Sequence, residues 1–374
     1  MRAAYTGATE LDAEGRLVTP GLVDPHTHLI WAGDRAGEFE QRLRGATYQE
    51  ITAGGGGINR TVRATRQATP ETLVEEGRAR LDAMLAHGTT TVEGKTGYGL
   101  ETQAELRLLN ALAQLDAEHA VDVVPTFLGA HAVPPEFEGR TDAYVDLIGS
   151  EMMPAVRSWR AAHWPGTLFC DVFCEVGYFD LPQTRRILQA AADAGLALKV
   201  HADEFENLGG VGLAVRMGAV SVDHVVETSD EEIAAVGRSG TIAVALPATP
   251  FGLAQSRYTP ARKFLDADAA LAIATDCNPG TAWCENMQMV MALATRYLGL
   301  TQGEALAATT VNAAFAVGCG NRVGSLAVGK QGDLVVWGVD DYRQLGYRFG
   351  INLVQTVIKR GRVVIYRSPN PAQR

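Results

Sequence analysis

The chain alternates eight short β-rich apolar runs with longer helical stretches, and this alternation limits its possible folds more than any other feature. Repeated strand and helix units predict a parallel sheet covered by helices. Eight such units close most simply as an α/β (β/α)8 TIM-like barrel, whose active site lies at the carboxyl ends of the strands. A doubly wound open sheet is the alternative. The apolar runs are residues 22–29, 89–95, 121–130, 168–175, 196–201, 220–225, 241–246 and 271–275.

The two ends of the chain differ in character from its middle. After Gly318 the sequence is rich in turn-forming residues, and β-rich runs follow at 334–337 and 354–365. We therefore expect residues 20–318 to form the barrel. Residues 1–19 together with 319–374 are expected to form a small β appendage.

Composition excludes several classes of partner. The formal net charge of -10 repels nucleic acid and anionic membranes, so neither is expected as a partner. No apolar run approaches the length of a membrane span and the chain starts without a signal segment, which predicts a cytoplasmic protein. An odd number of cysteines without a CxxC pair favours free thiols in a reducing compartment. The five cysteines are Cys170, Cys174, Cys277, Cys284 and Cys319.

Two histidines lie at the carboxyl end of the first apolar run, at positions 26 and 28. Side chains two residues apart on an extended strand leave the same face, so His26 and His28 present two imidazoles toward one point. Such a pair suits metal binding, but two ligands do not complete a site. Taken alone, two histidines that fall close together by chance explain the pattern equally well.

Other strand ends supply further donors. His201 ends the fifth apolar run, and Asp276 directly follows the eighth. With His26 and His28 they make three imidazole nitrogens and one carboxylate, a set that binds a divalent metal and leaves room for water. Because a bound metal activates water for attack on a carbonyl or amidine carbon, the sequence predicts a hydrolase.

Three more polar residues lie at predicted strand ends. Glu204 could move protons between the water and a leaving nitrogen, and His224 could polarise or protonate the substrate. A salt-bridged loop carboxylate and a buried core histidine are the simpler interpretations of these two residues. His131 has the same simpler interpretation as His224.

Several motifs together resemble those of the amidohydrolase superfamily, and within it those of the imidazolonepropionase family. They are PHTHL at 25–29, GDR at 33–35, KTGYG at 95–99, GAHA at 129–132, HADEF at 201–205 and TDCNPG at 275–280. The resemblance implies a barrel that binds one zinc or iron ion through His26, His28, His201 and Asp276. It also implies hydrolysis of the ring amide of 4-imidazolone-5-propanoate to N-formimidoyl-L-glutamate, the third step of histidine degradation.

The same resemblance assigns roles to the other site residues. Catalysis falls to Glu204, His224 and Asp276, while substrate contacts fall to Arg35, Tyr48, Tyr98, His131, Glu204, Asn278, Gly280 and Thr281. Independent chemistry supports Arg35, because a guanidinium is the natural bidentate partner of a propanoate carboxylate. Members of the family carry several strands ahead of the barrel, so we expect the small β domain to be incomplete at its N-terminal side. We also expect a homodimer.

Two competing functions use the same residues. A deaminase of a nucleobase or related ring would share the metal and the water and differ only in its pocket. A catalytically inactive barrel that acts as a binding module is the second alternative. Bound metal and turnover distinguish these possibilities.

Overall fold

The computed structural model describes residues 10–46 and 55–367. Its main sheet has eight strands that lie side by side in chain order, as a barrel requires. All neighbouring pairs are parallel, which confirms the predicted (β/α)8 architecture over the open doubly wound sheet. After β1 (Val18–Pro20), which belongs to a second sheet, the barrel strands are β2 (Leu22–Asp24), β3 (Thr89–Lys95), β4 (Asp122–Ala130), β5 (Phe169–Cys174), β6 (Ala197–Ala202), β7 (Ser221–His224), β8 (Ile242–Ala245) and β9 (Leu271–Ile273).

The first barrel strand is shorter than predicted. Regular pairing ends at Asp24, because Pro25 has no backbone N–H to donate to a ladder. The next residues still run alongside the segment after β9: the Asp276 N–H donates to the His26 carbonyl at 3.1 Å, and the His28 N–H donates to the Cys277 carbonyl at 2.9 Å. Together with a bridge between Thr27 and Cys277, these bonds close the barrel.

Helices cover the outside of the barrel, and sequence signals define several of their ends. The Thr69 hydroxyl accepts from the Thr72 N–H at 3.2 Å, and Asp180 and Thr301 each start a helix with a capping box. The described helices are Ala36–Leu43, Ile58–Gln67, Pro70–Ala86, Thr102–Glu118, Thr141–Leu147, Met153–His163, Leu181–Asp193, Gly210–Arg216, Asp230–Gly237, Ala248–Gly252, Ala261–Asp266, Met287–Tyr297, Gln302–Ala308, Val311–Ala316 and Gln344–Tyr347. A π-helical turn, Ile148–Met152, joins two of them. Within the described ranges no helix is both long and apolar enough to cross a bilayer.

The second sheet joins both ends of the chain, as predicted for the appendage. It is antiparallel, in the order β1 (Val18–Pro20), β10 (Leu334–Trp337), β11 (Val354–Lys359) and β12 (Arg362–Tyr366). The division into domains at residues 19/20 and 318/319 stays a prediction.

A buried lysine fastens this second sheet to the barrel. The Lys359 ammonium contacts Asp333 at 2.6 Å, Asp122 at 3.0 Å and the Thr90 carbonyl at 2.9 Å. Burial acts to raise the pKa of Asp122, but Lys359 and Arg360 outweigh it and hold that pKa below its ordinary value. Because Thr90 and Asp122 lie near the amino ends of β3 and β4, the sheet covers the end of the barrel opposite the predicted site.

Candidate active site

The structure brings the predicted metal donors together at the carboxyl ends of the strands. His26 and His28 follow β2, His201 lies in β6, and Asp276 follows β9. The Nε2 atoms of His26 and His28 each lie 3.5 Å from Asp276 Oδ1. The rings of His26 and His201 have their centroids 4.4 Å apart. All four side chains are almost fully buried, so four polar groups converge in a small volume.

The backbone beside these donors is strained. Asp276, His224 and Asp203 have φ angles of 52°, 75° and 56°, in the left-handed region that side chains other than glycine rarely adopt. Each such residue costs roughly 1–3 kcal/mol, and residues of this kind concentrate at functional sites. The strain lies where the side chains converge, which supports a functional rather than a purely structural cluster.

The donor atoms fit a divalent metal. One ligand atom from each of His26, His28 and His201 lies within 4.8 Å of the other two, and His26, His224 and Asp276 form a second such set. The Nε2 atoms of His26 and His201 are buried without a hydrogen-bond partner, which is costly unless something else binds them. Burial lowers the pKa of both His26 and His28 well below the ordinary value, and the neutral imidazole is the form that binds metal.

Two buried aspartates orient the histidines, and the sequence interpretation missed both. Asp223 Oδ2 lies 2.6 Å from His26 Nδ1, and Asp171 Oδ2 lies 2.8 Å from His201 Nδ1. A carboxylate accepts, so the hydrogen bond to Asp223 assigns the proton of His26 to Nδ1 and leaves its Nε2 lone pair free. Asp171 also accepts from the His201 backbone N–H at 3.1 Å. Such carboxylate–imidazole pairs fix the orientation of metal ligands. Their one sequence signal was a charged residue inside an otherwise apolar run.

Lys95 stands beneath these pairs, fully buried. Its ammonium contacts Asp171 at 2.7 Å, Glu93 at 2.9 Å and Asp223 at 3.6 Å. Burial alone would lower the pKa of Lys95, but Asp171 and Glu93 raise it above its ordinary value, so the side chain stays charged. A second buried lysine, Lys199, pairs with Glu93 at 2.9 Å. Lys95 therefore serves as a counter-ion for the histidine-orienting carboxylates.

Glu204 and His224 meet at the edge of the cluster, with Glu204 Oε2 3.7 Å from His224 Nε2. Burial, with help from Asp276 and Glu175, raises the pKa of Glu204 well above its ordinary value. Burial also lowers the pKa of His224 to about 3. Both shifts favour the uncharged form of each group, so the contact owes little to ion pairing.

A cavity of about 650 Å³ opens above the donors. Tyr98 and His131 form one wall, where the His131 ring stacks on His28 at a centroid distance of 4.7 Å. Other lining residues are Phe173, Glu175, Tyr178, Leu253 and Gln255, none of which the sequence interpretation singled out. The volume suits a small organic molecule.

Arg35 overhangs this cavity from the loop after the first strand. Its Nε donates to the Thr61 hydroxyl at 2.8 Å, and no described residue forms an ion pair with it. A Cβ added at Gly280 would lie 2.3 Å from Arg35 Nη1, so glycine leaves the room that the guanidinium occupies. Arg35 therefore lines this cavity with its Nε held by Thr61 and its Nη1 against Gly280, and it also lines a neighbouring cavity.

The loop after Asp276 accounts for the remaining predicted contacts. Asn278 Oδ1 accepts from the N–H groups of Gly280 and Thr281 at 2.8 and 2.9 Å, while its Nδ2 donates to the Asp276 carbonyl at 2.7 Å. The Asn278 amide therefore shapes the loop, and Thr281 lines the cavity. Tyr48 lies outside the described residues.

Comparisons with known proteins place this site in context. The model of the Amidohydrolase family matches residues 17–364. The imidazolonepropionase of Herpetosiphon aurantiacus is 54% identical over 97% of this chain and 85% of its own length, and that of Chloroflexus aggregans is 52% identical over 98% and 86%. A 5-methylcytosine deaminase from Klebsiella pneumoniae superposes with a TM-score of 0.74 at 17% identity, covering 97% of this chain and 91% of that one. An adenosine deaminase from Xanthomonas campestris with bound zinc gives a TM-score of 0.65 at 20% identity, covering 94% and 81%. At these identities the two deaminases share the fold alone.

Proposed function

This chain belongs to the amidohydrolase family, and we propose that it hydrolyses the ring amide of 4-imidazolone-5-propanoate to N-formimidoyl-L-glutamate. The observation that carries the proposal is the position of a cationic guanidinium, Arg35, over the same cavity that the clustered histidines and Asp276 floor. A site with this pairing suits a small cyclic amide that carries a carboxylate. Relatives named imidazolonepropionase, at 46–54% identity, support the same reaction.

The metal ligands in this proposal are His26, His28, His201 and Asp276. Three nitrogens and one carboxylate suit zinc, and iron accepts the same donors. When bound there, the ion would act as a Lewis acid that makes water a better nucleophile near neutral pH. His224 belongs to a second possible donor set with His26 and Asp276. The metal content of a His224 variant would show whether His224 binds the metal or only lies beside it.

Glu204 and His224 handle protons in the proposed mechanism. Glu204 lies beside Asp276, and its raised pKa makes its carboxylate a stronger base, so that carboxylate can take a proton from the attacking water and pass it to the leaving ring nitrogen. His224, neutral at physiological pH, can donate or accept a hydrogen bond at the reacting carbonyl. His224 is buried and only about a tenth of the Glu204 side chain is exposed, so little of either group faces bulk solvent.

Substrate orientation falls to the upper wall of the cavity. Arg35 would bind the propanoate carboxylate through its terminal nitrogens, while Tyr98 and His131 would hold the ring over the donors. This arrangement separates the leading function from a nucleobase deaminase, because a neutral base has no carboxylate for Arg35 to bind. We also propose a cytoplasmic homodimer, which light scattering and fractionation would test.

The deciding experiment follows loss of freshly generated imidazolone propanoate by absorbance, with metal content measured on the same sample. Turnover that disappears on chelation and returns with zinc or iron is the expected result. Full metal occupancy without turnover would instead support the inactive binding module. Turnover of a ring amine without turnover of the imidazolone would support a deaminase.

A further inference from the structure

Tyr98, in the cavity wall, belongs to a segment without regular secondary structure. Residues 96–100 follow β3, and Gly97 and Leu100 in this segment have φ angles of 103° and 52°. The segment is buried, with Tyr98 only 2% exposed. Buried backbone groups outside a ladder need other partners, so the position of Tyr98 depends on whatever supplies them.

One carboxylate supplies the acceptors. Glu105, in the first turns of helix Thr102–Glu118, is 1% exposed. Its Oε1 accepts from the N–H groups of Gly99 and Leu100, both at 2.8 Å, and its Oε2 accepts from the Gly97 N–H at 3.1 Å. The donors thus flank Tyr98 on both sides, and both carboxylate oxygens are used.

Close packing restricts the backbone conformation of residues 96–100. A Cβ added at Gly99 would lie 2.7 Å from the Glu105 nitrogen, so the segment rests directly on the helix backbone. From the other side, Arg66 donates to the carbonyls of Gly99 at 2.6 Å and Leu100 at 3.2 Å. Side chains therefore hold the segment through its donors and its acceptors alike.

The same segment also orients His131. The Gly97 carbonyl lies 3.0 Å from His131 Nδ1, and a carbonyl can only accept, so Nδ1 carries the proton and Nε2 keeps its lone pair. This bond keeps the His131 ring stacked on His28. A shift of Gly97 would therefore move both rings of the wall.

We propose that Glu105 is a positioning residue for substrate binding, which sets Tyr98 and His131 through the backbone of residues 96–100 without contacting the substrate. The proposal rests on the proposed function. It goes beyond helix capping, because the three N–H groups belong to the segment that carries a cavity residue and not to the helix itself.

Glu105→Gln is the test variant. The amide oxygen can still accept from Gly99 and Leu100, but the amide nitrogen then faces the Gly97 N–H, donor against donor. With metal content unchanged, we expect KM for imidazolone propanoate to rise on the order of 10-fold and kcat to stay within about 3-fold. Hydrogen exchange of peptides that cover residues 96–100 should become faster. In a Tyr98→Phe background the effect of Glu105→Gln on KM should be smaller than in wild type, because residues acting through one another are not additive; the effect that remains acts through His131.

Asp116→Asn is the matched control. Asp116 lies on the same helix and accepts from the Val123 N–H at 2.8 Å, at the opposite end of the barrel. Its loss should leave KM and the exchange of residues 96–100 unchanged.

Any one of three results would overturn the proposal. They are an unchanged KM in Glu105→Gln, the same rise in KM on Glu105→Gln in the wild-type and Tyr98→Phe backgrounds, and unchanged hydrogen exchange of residues 96–100. Absence of turnover in the wild-type enzyme would refute the proposed function, and the substrate role of Glu105 with it. The exchange measurement would still decide whether Glu105 holds the segment, since it needs no substrate.

Discussion

Removal of the Arg35 guanidinium is the sharpest test of substrate identity. Thr61 engages Nε, so Nη1 and Nη2 remain to form two parallel bonds with a carboxylate. Hydrogen bonds to charged groups contribute about 1.5–3 kcal/mol each, and loss of a paired buried charge costs about 2–5 kcal/mol. Because Arg35 is only half-buried, we expect the lower part of this range. Arg35→Ala should therefore lose about 2–3 kcal/mol of transition-state stabilisation, which lowers kcat/KM roughly 30- to 150-fold.

Graded variants test the geometry behind that figure. Arg35→Lys should restore only part of the loss, because a point charge cannot form two parallel bonds. Thr61→Val keeps the charge and removes the acceptor for Nε, so it should cost about 1 kcal/mol, roughly 5-fold. Arg44→Ala is the control, since that side chain is 76% exposed and, among the described residues, forms an ion pair with Glu40; a loss of less than about 1 kcal/mol is expected.

The assay compares kcat/KM for imidazolone propanoate with that for a ring analogue without the carboxylate. Wild type should prefer the propanoate, and Arg35→Ala should lose most of this preference while its activity on the analogue changes little. Equal losses on both compounds would mean that Arg35 does not bind the carboxylate. In that case the proposed substrate would lose its main physical support.

Four further outcomes are expected. His26→Ala and Asp276→Ala should each purify with little metal and without turnover, and elemental analysis that finds full occupancy in both would contradict the proposed ligand set. Glu204→Gln should keep its metal but lose turnover on the order of 10²-fold or more, and near-normal rates would assign the proton transfer to another group. Lys95→Met should destabilise the protein by about 3–5 kcal/mol in urea unfolding, because it leaves buried carboxylates without their counter-ion; a change below about 1 kcal/mol would refute that role. The pKa of Asp122 is lowered in the folded state, so its ionised carboxylate stabilises the fold above about pH 4, and this stabilisation is lost as the pH falls through the folded pKa. The unfolding free energy of Asp122→Asn should therefore change less with pH in the acid range than that of wild type.

The strand ends could be predicted from the sequence because the apolar pattern of a strand and the turn-forming residues that end it are local features. His201 and Asp276 could be assigned to the site from position alone, since each ends an apolar run and parallel strands end at one face. The first strand was overestimated because the apolar run continues past Pro25, where regular pairing gives way to isolated bonds.

The groups that orient the donors were not readable, because their contacts cross the fold. Asp223 meets His26 across 197 positions, and Thr61 meets Arg35 across 26. Asn278 lines the cavity as its motif predicts, and its amide also holds its own loop, so a contact with the substrate stays a prediction. Motif position therefore indicates proximity to the chemistry, and only geometry distinguishes contact from support.

The first and last strand units of the barrel meet at the candidate active site. Among the described residues, β2 and β9 share no ladder, and the gap is closed where residues 24–28 meet residues 275–277. Three of the four proposed ligands, His26, His28 and Asp276, lie in those two stretches. An ion that joins them would fasten the first strand unit to the last, so its binding energy would act on the whole circumference. At a free metal concentration 1,000 times Kd this amounts to about 4 kcal/mol. We expect chelation to speed hydrogen exchange first in β2 and β9, and only later in β5 and β6 on the opposite side of the barrel.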